Sequence, residues 1–321
     1  MGNKIDKFDV AFQGDLMSFC PDIDVSVIDG REVLSILNDY SDKKWQKQKF
    51  LNFIWNNIAL TALSKQERDK LVDSSYSTMI AAAKKLRLLD RTNGDQDTEG
   101  SELAEIILYG IMHHHYGALP VVPKIFNKQN AQDNAKGADS IHLVPDDAGD
   151  FSIWHGEAKF YNSIDDVRLP KIISSVLTSL EKSAIVNENR IMSSSGDLKI
   201  YLKDNPELLA KVLELLDDEA SLDPIKARLN IPILLLHECK ITSSHQEMCE
   251  EYVKQVLDYQ RVKASQFYKK LHKKADKDDI KNTPVINFDK ITLHFIFFPV
   301  PDKKAIVSEF LTEVDHFKSK D

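Results

Sequence analysis

Cysteine is scarce in this 321-residue chain, and the three present, Cys20, Cys239 and Cys249, are widely scattered. An odd, scattered set offers neither a disulfide framework nor a CxxC pair of zinc ligands, and it suits a reducing compartment. Long apolar runs are missing too. The longest, around Ile231–Leu236 and Phe295–Val300, fall far short of a bilayer span. The first residues, MGNKIDKFDV, hold Asp6 and Asp9 and no apolar stretch, so no signal peptide is expected and a cytoplasmic location is. Positive charge is not in excess: 42 Lys and Arg face 50 Asp and Glu, a formal net charge of -8. The chain as a whole is therefore no basic coat for nucleic acid, although a groove can be basic locally or supplied by a partner. No GxxxxGK[ST], GxGxxG or GxSxG stretch occurs, so no nucleotide cofactor is expected on this chain and no nucleophile elbow is present.

What is present is ordinary globular composition, 42% hydrophobic and 29% charged, enough to bury a sizeable core in one large domain or two modest ones. No repeat stands out. Val10–Phe12 and Val25–Ile28 read as short strands, and Trp45–Leu60 and Lys65–Leu89 as helices. Asp90–Gly100, rich in Asp, Asn, Thr and Gly, is the best candidate boundary, which gives an N-terminal mixed region over 1–95, a possible docking surface, and a main domain over 96–321. Ser101–Tyr116 reads as a helix and Ala118–Lys124 as a short strand. Asn127–Gly137 reads as a loop. Ala138–Val144 and Phe151–Phe160 read as strands around a turn at Pro145–Asp150. A helical region from Ile164 to Arg190 is interrupted or restarted at Pro170. A loop at Ser193–Asp197 precedes a helix over Asn205–Asp218, capped by Asn205 with Pro206 first inside. Ile231–Ile241 and Ile291–Pro299 read as buried strands, with a long helix over Gln246–Lys274 between them. The basic end of that helix, Lys269 to Lys274, reads as a solvated face, with a DNA contact as the alternative.

The hairpin carries the chemistry. If it is symmetric about Ala148, Asp139 falls opposite Glu157. Alternation then places Asp139, Ile141, Leu143, Phe151, Ile153, His155, Glu157 and Lys159 on one face. Two facing carboxylates repel, and a divalent cation offsets that repulsion; Mg²⁺ is commonly held by one or two carboxylates, with the Ala158 carbonyl as a further candidate ligand. Lys159 points the same way, where it can orient or help deprotonate a metal-bound water and stabilise charge on a phosphate.

The tripeptide ExK alone is weak, since it arises by chance and can simply guard a strand edge. The chain supplies its own control in Glu238-Cys239-Lys240, which ends an apolar strand without an obvious hairpin Asp; a structural role is expected there. His113, His114 and His115 point about 100° apart on a helix and cannot share one ion. His155 shares the Glu157 face and offers a phosphate or supporting contact, while Tyr161 and Asn162 either line the cleft or pack.

Glu102–Tyr109, Gly137–Ile141 and Gly156–Phe160 resemble the PD-(D/E)xK nuclease superfamily. More narrowly, SELAEIILYG, KGADSIHLV and HGEAKFYNSI look like the HamA family of the bacterial Hachiman anti-phage system, over roughly residues 100–165. The resemblance implies an α/β fold: a central mixed β-sheet flanked by helices, with a restriction-endonuclease-like core and an N-terminal α/β extension. It implies a metal-dependent DNA nuclease acting as effector subunit, with Mg²⁺ or alternatively Mn²⁺, and a helicase partner. Asp139 matches the metal-binding Asp, Glu157 the second acidic ligand and Lys159 the catalytic lysine. Glu105, with Glu102 one turn earlier, is the choice for the helix carboxylate that completes the acidic cluster. Ala138 departs from the motif, which has proline there. The competing reading is a catalytically inactive nuclease-fold subunit that serves as an interaction partner.

Overall fold

The fold was obtained as a computed structural model that describes residues 4–23, 30–87, 100–127, 137–164, 168–217, 222–275 and 290–320. Ten strands are described: β1 (Lys4–Ile5), β2 (Phe8–Asp15), β3 (Arg31–Leu37), β4 (Tyr40–Ser41), β5 (Lys44–Trp45), β6 (Leu119–Val122), β7 (Ser140–Pro145), β8 (Phe151–Tyr161), β9 (Leu229–Glu238) and β10 (Thr292–Val300). Eight form one mixed sheet in the order β1-β2-β3-β10-β9-β8-β7-β6. The four central strands, β3, β10, β9 and β8, run parallel, and antiparallel hairpins close both edges. A parallel strand is covered on both faces, which is why Ile231–Leu236 and Phe295–Phe298 are unbroken apolar runs. β4 and β5 make a separate two-stranded ribbon.

The longer helices are α1 (Lys47–Ala62), α2 (Ser75–Lys85), α3 (Ser101–Tyr116), α4 (Leu169–Ser179), α5 (Lys182–Ser194), α6 (Pro206–Leu215), α7 (Glu250–Ala275) and α8 (Lys303–Lys318). They sandwich the sheet. One core layer joins Trp154, Ala158 and Phe160 of β8 to α1, α3 and α8, and the other joins Phe151, Ile153 and Tyr161 to α4, α5 and α7. This is the α/β architecture with a mixed central sheet that was expected. The sheet is continuous across the expected boundary: β3, from the first 95 residues, pairs directly with β10. Asp90 to Glu99 of that boundary and the expected strand Val25–Ile28 lie outside the described residues, as does most of the expected loop Asn127–Gly137.

Some expected elements are divided differently. The span from Lys65 is two helices. Ser64 and Glu67 form a capping box on Lys65–Lys70, and α2 begins afresh at Ser75. The span from Ile164 is also two helices, α4 with Pro170 in its first turn and α5 beginning after an extended Glu181. Asn205 does cap α6, its side chain accepting the Leu208 N–H at 3.1 Å. At Ser193–Asp197 the interruption shrinks to Ser195, between α5 and a short helix over Gly196–Tyr201.

Candidate active site

The site is built on the β7–β8 hairpin. In the turn, the Asp146 carboxylate accepts N–H bonds from Ala148 and Asp150, and Gly149 adopts a left-handed φ of 74°. This fixes the register: Pro145 pairs with Phe151, Ile141 with His155 and Ser140 with Gly156, as symmetry about Ala148 requires. Asp139 stands just beyond the ladder, and its N–H donates to the Gly156 carbonyl at 2.8 Å.

Gly156 is where three elements crowd together. A Cβ there would stand 2.2 Å from Ser140 Oγ, 2.7 Å from Leu108 Cδ2 and 3.2 Å from Pro232 Cγ. Pro232, in the neighbouring parallel strand, has no N–H to give to β8. The pairing of β8 with β9 is interrupted there and resumes at Glu157 opposite Ile233. A glycine thus lets α3 and Pro232 approach, immediately before the acidic residue.

Three oxygens converge beyond that point on one ammonium. Lys159 Nζ lies 2.6 Å from Glu157 Oε1, 3.1 Å from Asp139 Oδ2 and 3.2 Å from the Ala158 carbonyl. The Asp139 carboxylate also accepts the Ala158 N–H at 3.0 Å. Ser175 of α4 donates its hydroxyl to Glu157 Oε1. Burial, then repulsion from Asp139, pushes the Glu157 pKa up, with Lys159 and Ser175 pulling the other way. Burial works against the Lys159 ammonium, but the two carboxylates outweigh it and hold its pKa above the ordinary lysine value. The lysine is therefore a cation at neutral pH.

The donor set suits a hard divalent ion: two carboxylates and one carbonyl already surround a positive charge, and Mg²⁺ asks for few protein oxygens beyond these. Among the described residues no three His, Cys, Asp or Glu side chains form a ready-made cage. Glu105 is buried on α3. At Gly100 a Cβ would lie 3.0 Å from Phe160, while Leu108 underlies Gly156, so α3 runs along β8 with Glu105 between these two contacts in sequence. It approaches from the opposite layer of the sandwich. Glu102, one turn earlier, is half-buried, and its carboxylate accepts the Arg87 N–H at 3.0 Å.

The other candidates separate cleanly. Glu238 is drawn to the start of α8, where it accepts the Lys303 N–H at 3.0 Å, and Lys240 is exposed. Lys303 in turn donates its ammonium to the Phe160 carbonyl at 2.8 Å. His114 contacts Asn57 at 3.1 Å, and His113 is exposed. His155 is fully enclosed, and burial pushes its pKa down to about 4, so it is neutral at physiological pH. Tyr161 packs into the core layer with α4, beneath the Arg168 guanidinium. Asn162 is exposed.

Sequence reasoning missed Ser175, Glu188 and Lys124. Glu188 and Lys124 form a buried ion pair beside Ala138, on the wall of a cavity of about 430 Å³ that also reaches Gly137 and Ser195. No local signal marks Ser175; only the packing of α4 on this sheet face brings it to Glu157. No described helix is long and apolar enough to cross a membrane.

The HamA family model matches residues 15–314, nearly the whole chain. A search of curated proteins found no match. The chain belongs to the HamA family, and membership implies a component of a Hachiman defence system with a partner in that system.

Proposed function

We propose that this HamA-family protein is a Mg²⁺-dependent deoxyribonuclease of the PD-(D/E)xK type, with a restriction-endonuclease-like core, acting as effector beside a helicase subunit. One observation carries the reading: the Lys159 ammonium sits within 2.6–3.2 Å of Glu157 Oε1, Asp139 Oδ2 and the Ala158 carbonyl. Asp139, Glu157 and the Ala158 carbonyl would hold the ion, which when bound supplies Lewis-acid activation of water and of a phosphate oxygen. Lys159 would orient the attacking water and stabilise negative charge developing on the phosphate. Ser175 orients Glu157, and the Ala158 N–H orients Asp139. Glu105, on the helix α3 that runs along β8, would be the carboxylate that completes the acidic set.

The test uses purified protein, alone and with its helicase partner, on DNA with Mg²⁺ or Mn²⁺. Cleavage is expected, and Glu157→Ala or Lys159→Ala is expected to abolish it while the fold persists. Undiminished cleavage by both variants overturns the assignment. One observation favours a second reading, an inactive nuclease-fold subunit that docks a helicase: Lys159 already bridges both carboxylates and offsets one of their two charges. A docking-only subunit would gain no Mg²⁺-induced thermal stability that depends on Asp139 and Glu157.

A further inference from the structure

Asp139 is followed by a strand but preceded by an irregular segment, so something outside the hairpin must fix where its carboxylate starts. The Ala138 N–H donates to Glu188 Oε1 at 2.8 Å. Glu188, on α5, is buried, and its other oxygen receives the Lys124 ammonium at 2.6 Å. Lys124 is buried as well. Its own N–H donates to the Tyr109 hydroxyl at 3.2 Å, which in turn donates to the Val122 carbonyl at 2.6 Å. A continuous polar chain therefore runs from α3 through the end of β6 and α5 to the residue before Asp139.

Burying a charged pair costs several kcal/mol per ion unless the pair and its hydrogen bonds are well made, and apolar residues of the same volume are often no less stable. Stability alone therefore does not account for this pair. The position of its third bond supplies one. Where the nuclease motif carries proline, this chain carries Ala138, and alanine keeps the N–H that proline lacks. That N–H is the one Glu188 holds.

We infer that Glu188, neutralised by Lys124, is a positioning residue for Asp139: it anchors the Ala138 N–H and so fixes the carboxylate at the metal-binding corner. The inference deepens the nuclease reading and rests on it. The anchor itself can be tested without metal. His155 lies in the field of both charges but is neutral at physiological pH, so it does not compete for Glu188.

Two charge-free double variants separate anchoring from charge. Glu188→Gln with Lys124→Met keeps an oxygen acceptor for Ala138; Glu188→Leu with Lys124→Met removes it. Amide exchange of the peptide containing Ala138 and Asp139 is measured on the full chain without metal, and Mn²⁺ affinity by calorimetric titration. The leucine pair should exchange faster there and lose Mn²⁺ affinity by about tenfold or more, the cost typical of losing a partner that orients a ligand. The glutamine pair should match the wild type within about twofold by the same measure. Unchanged exchange in the leucine pair, or equal losses in both pairs, overturns the inference. Asp139→Asn is the control for the underlying reading: if it binds Mn²⁺ as the wild type does, the metal centre is wrong, while the exchange result still decides the anchor.

Discussion

Two neighbouring parallel strands carry the same Glu-x-Lys pattern at or near their C-terminal ends, and they do different things with it. On β8, Glu157 and Lys159 meet Asp139 and Ser175, and the lysine is clasped by two carboxylates. On β9, Glu238 binds the first N–H of α8, and Lys240 points to solvent. The register explains the contrast. Glu157 pairs with Ile233, so Glu238 lies five positions further along, past the end of the β8–β9 ladder, where a helix start rather than a hairpin partner awaits it. A carboxylate two residues before a lysine is thus only an opportunity. The element across from it decides between a cation site and a helix cap.

The strongest way to break this comparison is to exchange the loss. Lys159→Ala or Glu157→Ala should lower Mg²⁺-dependent cleavage by about a thousandfold or more, on the order of 4 kcal/mol of barrier, measured as single-turnover rates. Glu238→Ala should leave those rates within about twofold.

Next in size is acidity, which acts on both strands alike. His155 on β8 and His237 on β9 are buried and held neutral, with pKa values pushed down to about 4 by burial; His142 and His294 on the flanking strands are pushed down to about 3. Their folded values lie below the ordinary 6.5. The unfolded chain therefore takes up protons between pH 6.5 and about 4 that the folded chain cannot. Stability is fully present above that window and falls as pH drops through it, by on the order of 3 kcal/mol for a histidine such as His155. Urea unfolding across pH 4 to 8 checks the slope, which should shrink in His155→Gln or His237→Gln.

A smaller effect sharpens the packing side. Gly156→Ala forces a methyl against Ser140 and Leu108 and should destabilise the fold by roughly 1–3 kcal/mol in thermal melts. Glu238→Ala should cost about 1 kcal/mol, the net worth of a typical hydrogen bond, since Asp302 still caps α8. Ser175→Ala should be the mildest, a several-fold drop in cleavage with little change in melting temperature, since it frees Glu157 without opening a cavity.

Much of the β8 site was legible because a hairpin is a local object. Alternation of apolar residues and a turn rich in Asp and Gly specify both its register and its faces, and the structure keeps that register. The role of Glu238 was half legible: the absence of a hairpin Asp could be read, but the capped helix α8 lies 65 residues away and was not anticipated. β3 was also missed, since Arg31–Leu37 is a short stretch whose strand character comes from pairing with β2 on one side and β10 on the other. The break between α4 and α5 has no glycine or proline to announce it. Yet that break begins the helix that brings Glu188 to Lys124 and Ala138. Ser175, Glu188 and Lys124 share one property: each acts through a contact between elements distant in sequence, and a single sequence holds no local periodicity for such contacts.

The most direct test is a side-by-side cleavage assay of the wild type, Lys159→Ala and Glu238→Ala, each with the helicase partner, Mg²⁺ and plasmid DNA. Cleavage by the wild type and by Glu238→Ala is expected, and none by Lys159→Ala. Cleavage that survives Lys159→Ala but disappears in a folded Glu238→Ala would contradict the assignment to β8, and would move the site to the end of β9.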